Sequence, residues 1–373
     1  MKYFIIAGEA SGDLHGSTLV KALRLEDAAA VLRCWGGDLM ESAGATLLKH
    51  YRELAFMGFL EVVSNLRTIL RNFRLCKTQI LDFQPDVLIL IDYPGFNLRM
   101  ATWAKKHGIR VFYYITPQLW AWKSGRVNII RKSVDRIFVI FPFEKDFYGK
   151  YGIEAEFHGH PLLDVALTGT ASSGFFQKNS LISDKPIIAL LPGSRRQEVN
   201  HILETMLQVS TFFADYQFVV AVSPSLDRGF YAPFIARHPA VSLVENQTYQ
   251  LLQHAQAALV TSGTATLETA LLNVPQVVCY RANPVSVWLA KKLVNKDLRF
   301  ISIVNLIAGR KVVEELIQED LNRSRIRQEL AVLLTPGGKE AILKGYAEVR
   351  EKLGEPGASS RVAKRMVTLL KGS

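Results

Sequence analysis

The sequence predicts an α/β protein built from two Rossmann-like, doubly wound domains in tandem. Short, near-continuous apolar runs alternate with helical stretches along both halves of the chain. The alternation stops once, at the small-residue stretch Thr168-Gly-Thr-Ala-Ser-Ser-Gly174, and then restarts. The length of 373 residues also exceeds what a single hydrophobic core usually serves.

In the first half, Tyr3 to Ala7, Val87 to Ile91, Val111 to Ile115 and Ile137 to Ile140 are rich in Ile, Val and aromatic residues. Runs of that kind suit strands covered on both faces, hence a parallel sheet. Helical stretches such as Leu98 to Lys106 lie between them. In the second half the expected strands are Ile187 to Leu191, Phe218 to Val222, Val241 to Val244, Ala257 to Val260 and Gln276 to Tyr280. The expected domains are therefore residues 1–167 and 175–345, followed by a tail, 346–373. In the tail, Gly354-Glu-Pro-Gly357 breaks the chain before a helix from Ser359 to Lys371, which Ser359 or Ser360 could cap. That tail either packs back on the first domain or mediates a homodimer contact. Ligands of doubly wound sheets bind beyond the C-terminal strand ends, which here are expected to face each other across a cleft.

Composition narrows the function. Apolar content of 49% and charged content of 21% fit a folded globular protein. The net charge of +11 suggests a phosphorylated substrate, an anionic lipid surface or nucleic acid. No basic block, zinc spacing or aromatic RNA-binding motif appears, which ranks nucleic acid last. The chain enters its first strand directly, so no signal peptide is expected, and no apolar run reaches the roughly 20 residues a bilayer span needs. Cys34, Cys76 and Cys279 are widely spaced and odd in number, which reads as reduced cytosolic thiols.

The most informative stretch is Leu259-Val-Thr-Ser-Gly-Thr-Ala-Thr-Leu-Glu268. A buried strand turns tightly into a helix, and the free N–H groups at a helix start attract phosphate oxygens. Ser262, Gly263, Thr264, Ala265 and Thr266 are small enough to admit a diphosphate, and Glu268 could accept from ribose hydroxyls. An ordinary hydroxyl-capped turn is the bland alternative. Leu190-Leu-Pro-Gly-Ser-Arg195 repeats the logic at the first strand of the second half. Gly193 and Ser194 offer amides there, and Arg195 offers a planar fork of donors. Arg281 and Asn283 follow another strand, and Asn305 sits in an apolar loop that could enter the same cleft.

In the first half, Gly8-Glu-Ala-Ser-Gly-Asp-Leu-His-Gly16 is a glycine-rich turn outside the dinucleotide register. Its carboxylates suit a hydroxyl-rich sugar, so Glu9 and Ser11 are candidate sugar contacts, while Asp13 could equally cap a helix. Leu90-Ile-Asp-Tyr-Pro-Gly-Phe-Asn97 places Asp92 at a strand end, with a turn forced by Pro94 and Gly95. A partly desolvated carboxylate there is a candidate general base. Asn97 could orient a hydroxyl or cap the next helix. His158-Gly-His160 resembles a metal pair, but no Asp, Glu or Cys at ligand spacing joins it, so a domain hinge is expected and no metal. Phe56 to Arg74 reads as an amphipathic helix with Val62, Val63, Leu66, Ile69, Leu70 and Phe73 on one stripe and Arg67, Arg71 and Arg74 beside it. Such a helix either packs on the sheet or lies on an anionic membrane.

Taken in order, these motifs resemble the lipid-A-disaccharide synthases, bacterial glycosyltransferases of the GT-B type. The matching stretches are Ala7 to Asp13, Met57 to Val62, Ile91 to Asn97, Trp120-Ala-Trp122, Gly159 to Asp164, Leu191 to Arg195, Ser262 to Glu268 and Asn305 to Arg310. The resemblance covers essentially the whole chain. It implies transfer of 2,3-diacylglucosamine from its UDP carrier to 2,3-diacylglucosamine 1-phosphate, with inversion, UDP release and neither metal nor cofactor. It implies activity roles for Asp92, Arg195 and Asn305, and UDP contacts at Ser194, Arg195, Ser262 to Thr266 and Glu268. It also turns the apolar stripe into a membrane or acyl contact, on a cytoplasmic protein peripheral to the inner membrane. Thr116-Pro-Gln-Leu-Trp120 departs from many members, and Gln118 receives no role. Two other readings stay open: a soluble-substrate UDP-sugar enzyme of the UDP-N-acetylglucosamine 2-epimerase kind, and a non-enzymatic phospholipid-binding protein.

Overall fold

A computed structural model describes residues 1–54, 66–121, 124–166, 174–283 and 299–372. The chain divides into one unit formed by Met1–Asp164 with Leu353–Ser373 and another formed by Val165–Lys352.

The first unit carries a seven-stranded parallel sheet. Its strands in chain order are β1 (Lys2–Ala7), β2 (Val31–Gly36), β3 (Thr46–His50), β4 (Val87–Ile91), β5 (Val111–Tyr114), β6 (Arg136–Val139) and β7 (Ala155–Phe157). In space they run β3-β2-β1-β4-β5-β6-β7. The order reverses between β1 and β4, where Ala7 lies opposite Ile91. All five residues of β4 are buried, as the uninterrupted Val-Leu-Ile-Leu-Ile run requires of a strand covered on both faces.

The second unit carries a six-stranded parallel sheet. Its strands are β8 (Ile187–Leu191), β9 (Gln217–Val222), β10 (Val241–Glu245), β11 (Ala255–Thr261), β12 (Gln276–Tyr280) and β13 (Glu314–Ile317). Their order is β10-β9-β8-β11-β12-β13. Here the reversal lies between β8 and β11, where Leu191 lies opposite Val260. Both sheets thus have a topological switch point, the crevice where doubly wound folds bind ligands.

The expected amphipathic helix is described from Leu66 to Phe83. Val62 and Val63, and the side chain of Leu66, lie outside the described residues. The rest of the stripe does not stay together. Phe73 is buried and stacks on Phe96 at 4.3 Å, and Ile69 packs against the same core. Phe73 and Ile69 are therefore core residues, which corrects their reading as membrane contacts. Leu70 is 48% exposed, on the side of exposed Arg67, Arg71 and Arg74. The reason is angular: successive helical residues turn by ~100°, so Leu70 leaves the face that Ile69 and Phe73 share with Cys76 and Ile80. Among the described residues, no helix is long and apolar enough to cross a membrane.

The C-terminal helix, Ala358–Lys371, packs against the Ala10–Glu26 helix of the first unit. Neither expected serine caps it. The carboxylate of Asp164 does, accepting from the amides of Gly357, Ala358 and Ser359. The Ser359 hydroxyl instead donates to Thr18 at 3.0 Å. Asp13 likewise caps a neighbouring helix rather than its own, accepting from Gly37, Leu39 and Met40 at 2.8 to 3.1 Å.

Two buried histidines lie near this junction. Burial drives the His15 imidazole down to about 4, against a smaller upward pull from Asp164. Burial, and next the neighbouring His15, hold His160 well below its ordinary value. The folded state therefore resists protons that the unfolded chain accepts. Stability is complete above the ordinary histidine range and falls as pH descends toward 4, by up to ~1.4 kcal/mol per pH unit for each histidine. Thermal unfolding followed between pH 7 and 4 should show this acid limb, and His15→Gln should flatten it. An acid limb of unchanged slope in that variant would remove His15 as a source.

Candidate functional site

The first unit gathers its candidate residues at the C-terminal edge of β1, β4 and β5. Because β1 and β4 are parallel neighbours in register, Gly8-Glu9 and Asp92-Tyr93 leave the sheet side by side. Asp92 and Tyr93 both adopt left-handed backbone, at φ 44° and 49°, and Ile115 at the end of β5 does so at 60°. Left-handed conformation costs non-glycine residues roughly 1–3 kcal/mol each and persists only where surrounding bonds over-determine it. Those bonds are present. The Asp92 amide donates to the Ile115 carbonyl at 3.0 Å. The Asp92 carbonyl accepts from the Tyr113 hydroxyl at 2.7 Å and from Asn97 Nδ2 at 2.8 Å. Burial, and then the charge of Asp92, push the Tyr113 hydroxyl well up, so it stays a donor. The half-buried Asp92 carboxylate is thus carried on a clamped turn rather than a flexible loop.

Asn97 belongs to the clamp. The helix begins at Pro94, one turn earlier than expected, so Asn97 lies within its first turn and is fully buried. Its Nδ2 group faces the carbonyls of Ile6, Ile91 and Asp92. This corrects its reading as a sugar contact: it ties strand ends together. Glu9 and Ser11 lie half-buried at the start of the Ala10–Glu26 helix, and the Glu9 charge adds to burial in raising the Tyr93 hydroxyl. Gly8 is required for a reason the sequence did not disclose. The Tyr93 ring sits against it, and a Cβ there would lie 2.3 Å from ring carbons. The glycine accommodates a side chain of the protein itself, not a ligand.

The second unit places its candidates at the edge of β8 and β11. The Leu191–Val260 register brings the 193–195 loop beside the 262–266 turn. Their helix starts differ. At the first, Glu198 Oε2 accepts from the amides of Ser194 and Arg195 at 3.0 and 3.3 Å, one half of a capping box, since the donor-only Arg195 side chain cannot return the bond. Gly193, at φ +120°, leaves room for that carboxylate. The Ser194 amide, expected to take part in phosphate binding, is therefore filled by the protein's own anion, as is the Arg195 amide. The Arg195 guanidinium remains 55% exposed, 3.7 Å from Glu198. Arg196 turns away and lies over the Phe230 ring.

At the second, no side chain among the described residues caps the Thr264–Leu271 helix, whose N-cap is Gly263. Thr266 is closed off, its amide and hydroxyl both donating to the Gly263 carbonyl. The Ser262 hydroxyl donates to the Ile301 carbonyl at 2.9 Å. Among the described residues, the groups left to receive an anion are the amides of Gly263, Thr264 and Ala265, one turn from Glu268. The Glu268 carboxylate accepts from Tyr249 at 3.2 Å, and burial raises its pKa.

Two expected contacts are internal. Arg281 donates to the carbonyls of His201, Gln318 and Leu321 and to the Thr205 hydroxyl, bracing the sheet rather than a ligand. Asn305 is fully buried and its amide is spent on Val312, Val313 and Glu315. It contacts no open surface. His158 pairs with Glu156 at 3.1 Å, whereas His160 accepts from the Leu162 amide. Among the described residues, no three metal-binding side chains converge. Sequence reasoning missed Tyr93, Glu198 and Glu315; of these only Glu198 carried a signal, its capping-box spacing after Arg195.

A family model described as lipid-A-disaccharide synthetase matches residues 3–367. A lipid-A-disaccharide synthase from Syntrophus aciditrophicus is 42% identical, covering 99% of this chain and 98% of its own. One from Myxococcus xanthus is 36% identical over 99% and 97%. Among solved structures, the UDP-GlcNAc 2-epimerase of Neisseria meningitidis bound to UDP-GlcNAc superposes with a TM-score of 0.70. It is 14% identical and covers 99% of this chain and 100% of its own, a likeness of fold alone. The calicheamicin glycosyltransferase CalG4 gives 0.58 at 16% identity, covering 100% and 98%.

The Gly8–Tyr93 contact yields a direct prediction. Gly8→Ala should force the ring away and lower stability by roughly 1–3 kcal/mol, read by urea denaturation. Tyr93→Ala in the same chain should recover part of that loss, because the two residues touch. Wild-type stability in Gly8→Ala would contradict the packing.

Proposed function

The chain belongs to the lipid-A-disaccharide synthase family, and on that premise we propose that it transfers 2,3-diacylglucosamine from UDP to 2,3-diacylglucosamine 1-phosphate. It is a glycosyltransferase of GT-B architecture acting in lipid A disaccharide synthesis. The product in this proposal is a β-1,6-linked disaccharide 1-phosphate, formed with inversion.

The observation that carries the reading is the uncapped helix start at Gly263, beside an exposed guanidinium at Arg195. As the glycosidic bond breaks, negative charge grows on the departing diphosphate. The amides of Gly263, Thr264 and Ala265 and the Arg195 guanidinium stabilise that charge as fixed donors, with no metal ion. Glu268 accepts from the ribose. Asp92, held on its clamped turn, takes the proton of the acceptor 6-hydroxyl as it attacks C1 from the face opposite UDP. Glu9 and Ser11, near that carboxylate, receive sugar hydroxyls. Asn305 acts from within the fold, by positioning.

Both substrates carry acyl chains, which supports a peripheral place on the inner face of the inner membrane. Exposed Leu70, beside exposed Arg67, Arg71 and Arg74, supplies an apolar contact bordered by cations.

UDP release assayed with the diacylated pair tests the activity. Asp92→Asn should fold normally and lose roughly 10²–10⁴-fold in turnover. Arg195→Ala should weaken UDP binding and turnover together. Near-normal turnover in Asp92→Asn would remove it as the base. Replacing Arg67, Arg71 and Arg74 by serine should weaken sedimentation with anionic vesicles by about 1 kcal/mol for each cation at the surface. Unchanged sedimentation would sink the membrane face.

A further inference from the structure

We propose that Glu315 is a positioning residue for the nucleotide turn at Ser262–Ala265, acting through a buried brace that includes Asn305. The inference rests on the reading that this turn holds the UDP diphosphate.

Glu315 is the second residue of β13, anchored in the sheet opposite Val278 of β12. Its carboxylate gathers three donors. Oε2 accepts from the Ile301 amide at 3.0 Å, and Oε1 accepts from the Ser302 amide at 2.9 Å and Asn305 Nδ2 at 2.8 Å. Asn305 completes the brace. Its Oδ1 accepts from the amides of Val312 and Val313 at 2.7 and 2.9 Å, and Nδ2 also donates to the Val313 carbonyl at 2.9 Å. The Ser302 hydroxyl accepts from the Asn305 amide at 3.2 Å. The 301–305 segment is thereby stapled to the start of β13. That segment in turn receives the Ser262 hydroxyl on the Ile301 carbonyl. The chain of contacts runs from the sheet, through Glu315 and Ile301, to the first residue of the turn.

The brace needs a carboxylate. Two backbone amides and a side-chain amide converge on its two oxygens, so both must accept. A glutamine would point an NH₂ group at one of these donors, leaving it unmatched in a half-buried place. The shape is nearly unchanged, so Glu315→Gln releases the Ile301 end while keeping the packing. The aim of the Gly263, Thr264 and Ala265 amides then loosens, which costs nucleotide affinity although Glu315 touches no nucleotide. Groups that hold metal ligands in place shift affinity by ~10-fold or more when lost, and a loss on that scale is expected here.

The test is a double-mutant cycle on UDP binding by calorimetry, using Ser262→Ala, Glu315→Gln and the pair. Each single variant should weaken UDP about tenfold, and the pair should be little worse than either, because both break one linkage. The donor KM should rise more than kcat falls. Weakened binding in Ser262→Ala with wild-type binding in Glu315→Gln would overturn the brace alone, as would losses that multiply in the pair. Unaltered binding in Ser262→Ala would overturn the assignment of the turn and the brace with it. Hydrogen exchange on the unmodified protein covers a variant that does not fold. Adding UDP should slow exchange at Ile301 and Ser302 together with Gly263 to Ala265. Slowing at the turn without slowing at 301–302 would contradict the brace.

Discussion

The register between β8 and β11 is the constraint on which the proposed nucleotide site depends. Parallel pairing of Leu191 with Val260 makes both strands end at one level. Whatever follows them must emerge together at the switch point. One strand is followed by a loop that ends in an arginine, the other by a glycine and a helix without a side-chain cap. A slip in that pairing would part the guanidinium from the amides, and neither alone offers both charge and direction. The same logic orders the first unit, where the Ala7–Ile91 register sets Glu9 beside Asp92.

The two helix starts of the second unit show how a fold selects among equivalent-looking anion sites. Both follow buried strands and both are rich in small residues. At one, Glu198 supplies the negative charge that the helix dipole favours, so the site is satisfied internally. At the other the amides of Gly263, Thr264 and Ala265 have no side-chain partner among the described residues, while the flanking hydroxyls of Ser262 and Thr266 are tied down. Two of the turn's three hydroxyls are thus held by the protein's own carbonyls, the kind of preorganisation that electrostatic stabilisation requires. Left-handed backbone at Asp92 and Tyr93 serves a parallel end in the first unit, fixing a carboxylate by bonds to its own main chain.

Much of the fold was legible because the central strands are unbroken apolar runs, as at Val87–Ile91 and Ile187–Leu191. Strands β2, β3, β7 and β13 escaped notice, since Arg33, Lys49, Glu156 and Glu314 interrupt their apolar character nearer the sheet margins. The strand-end motifs announced where the site residues sit, but not which of their groups are free. Arg281 and Asn305 look like cleft residues by position and prove to be internal braces. Glu315 is unremarkable in sequence, because a carboxylate that collects amides from 10 to 14 residues away is defined by chain segments that only folding brings near. Phe73 and Leu70 share a stripe on paper, yet the helix turns one into the core and the other outward.

Soaking crystals of this protein with uridine diphosphate is the most direct measurement of the central reading. The diphosphate should lie within hydrogen-bonding distance of the Gly263, Thr264 and Ala265 amides and the Arg195 guanidinium, with the ribose at Glu268. A nucleotide bound away from both Arg195 and the 262–268 turn would contradict it.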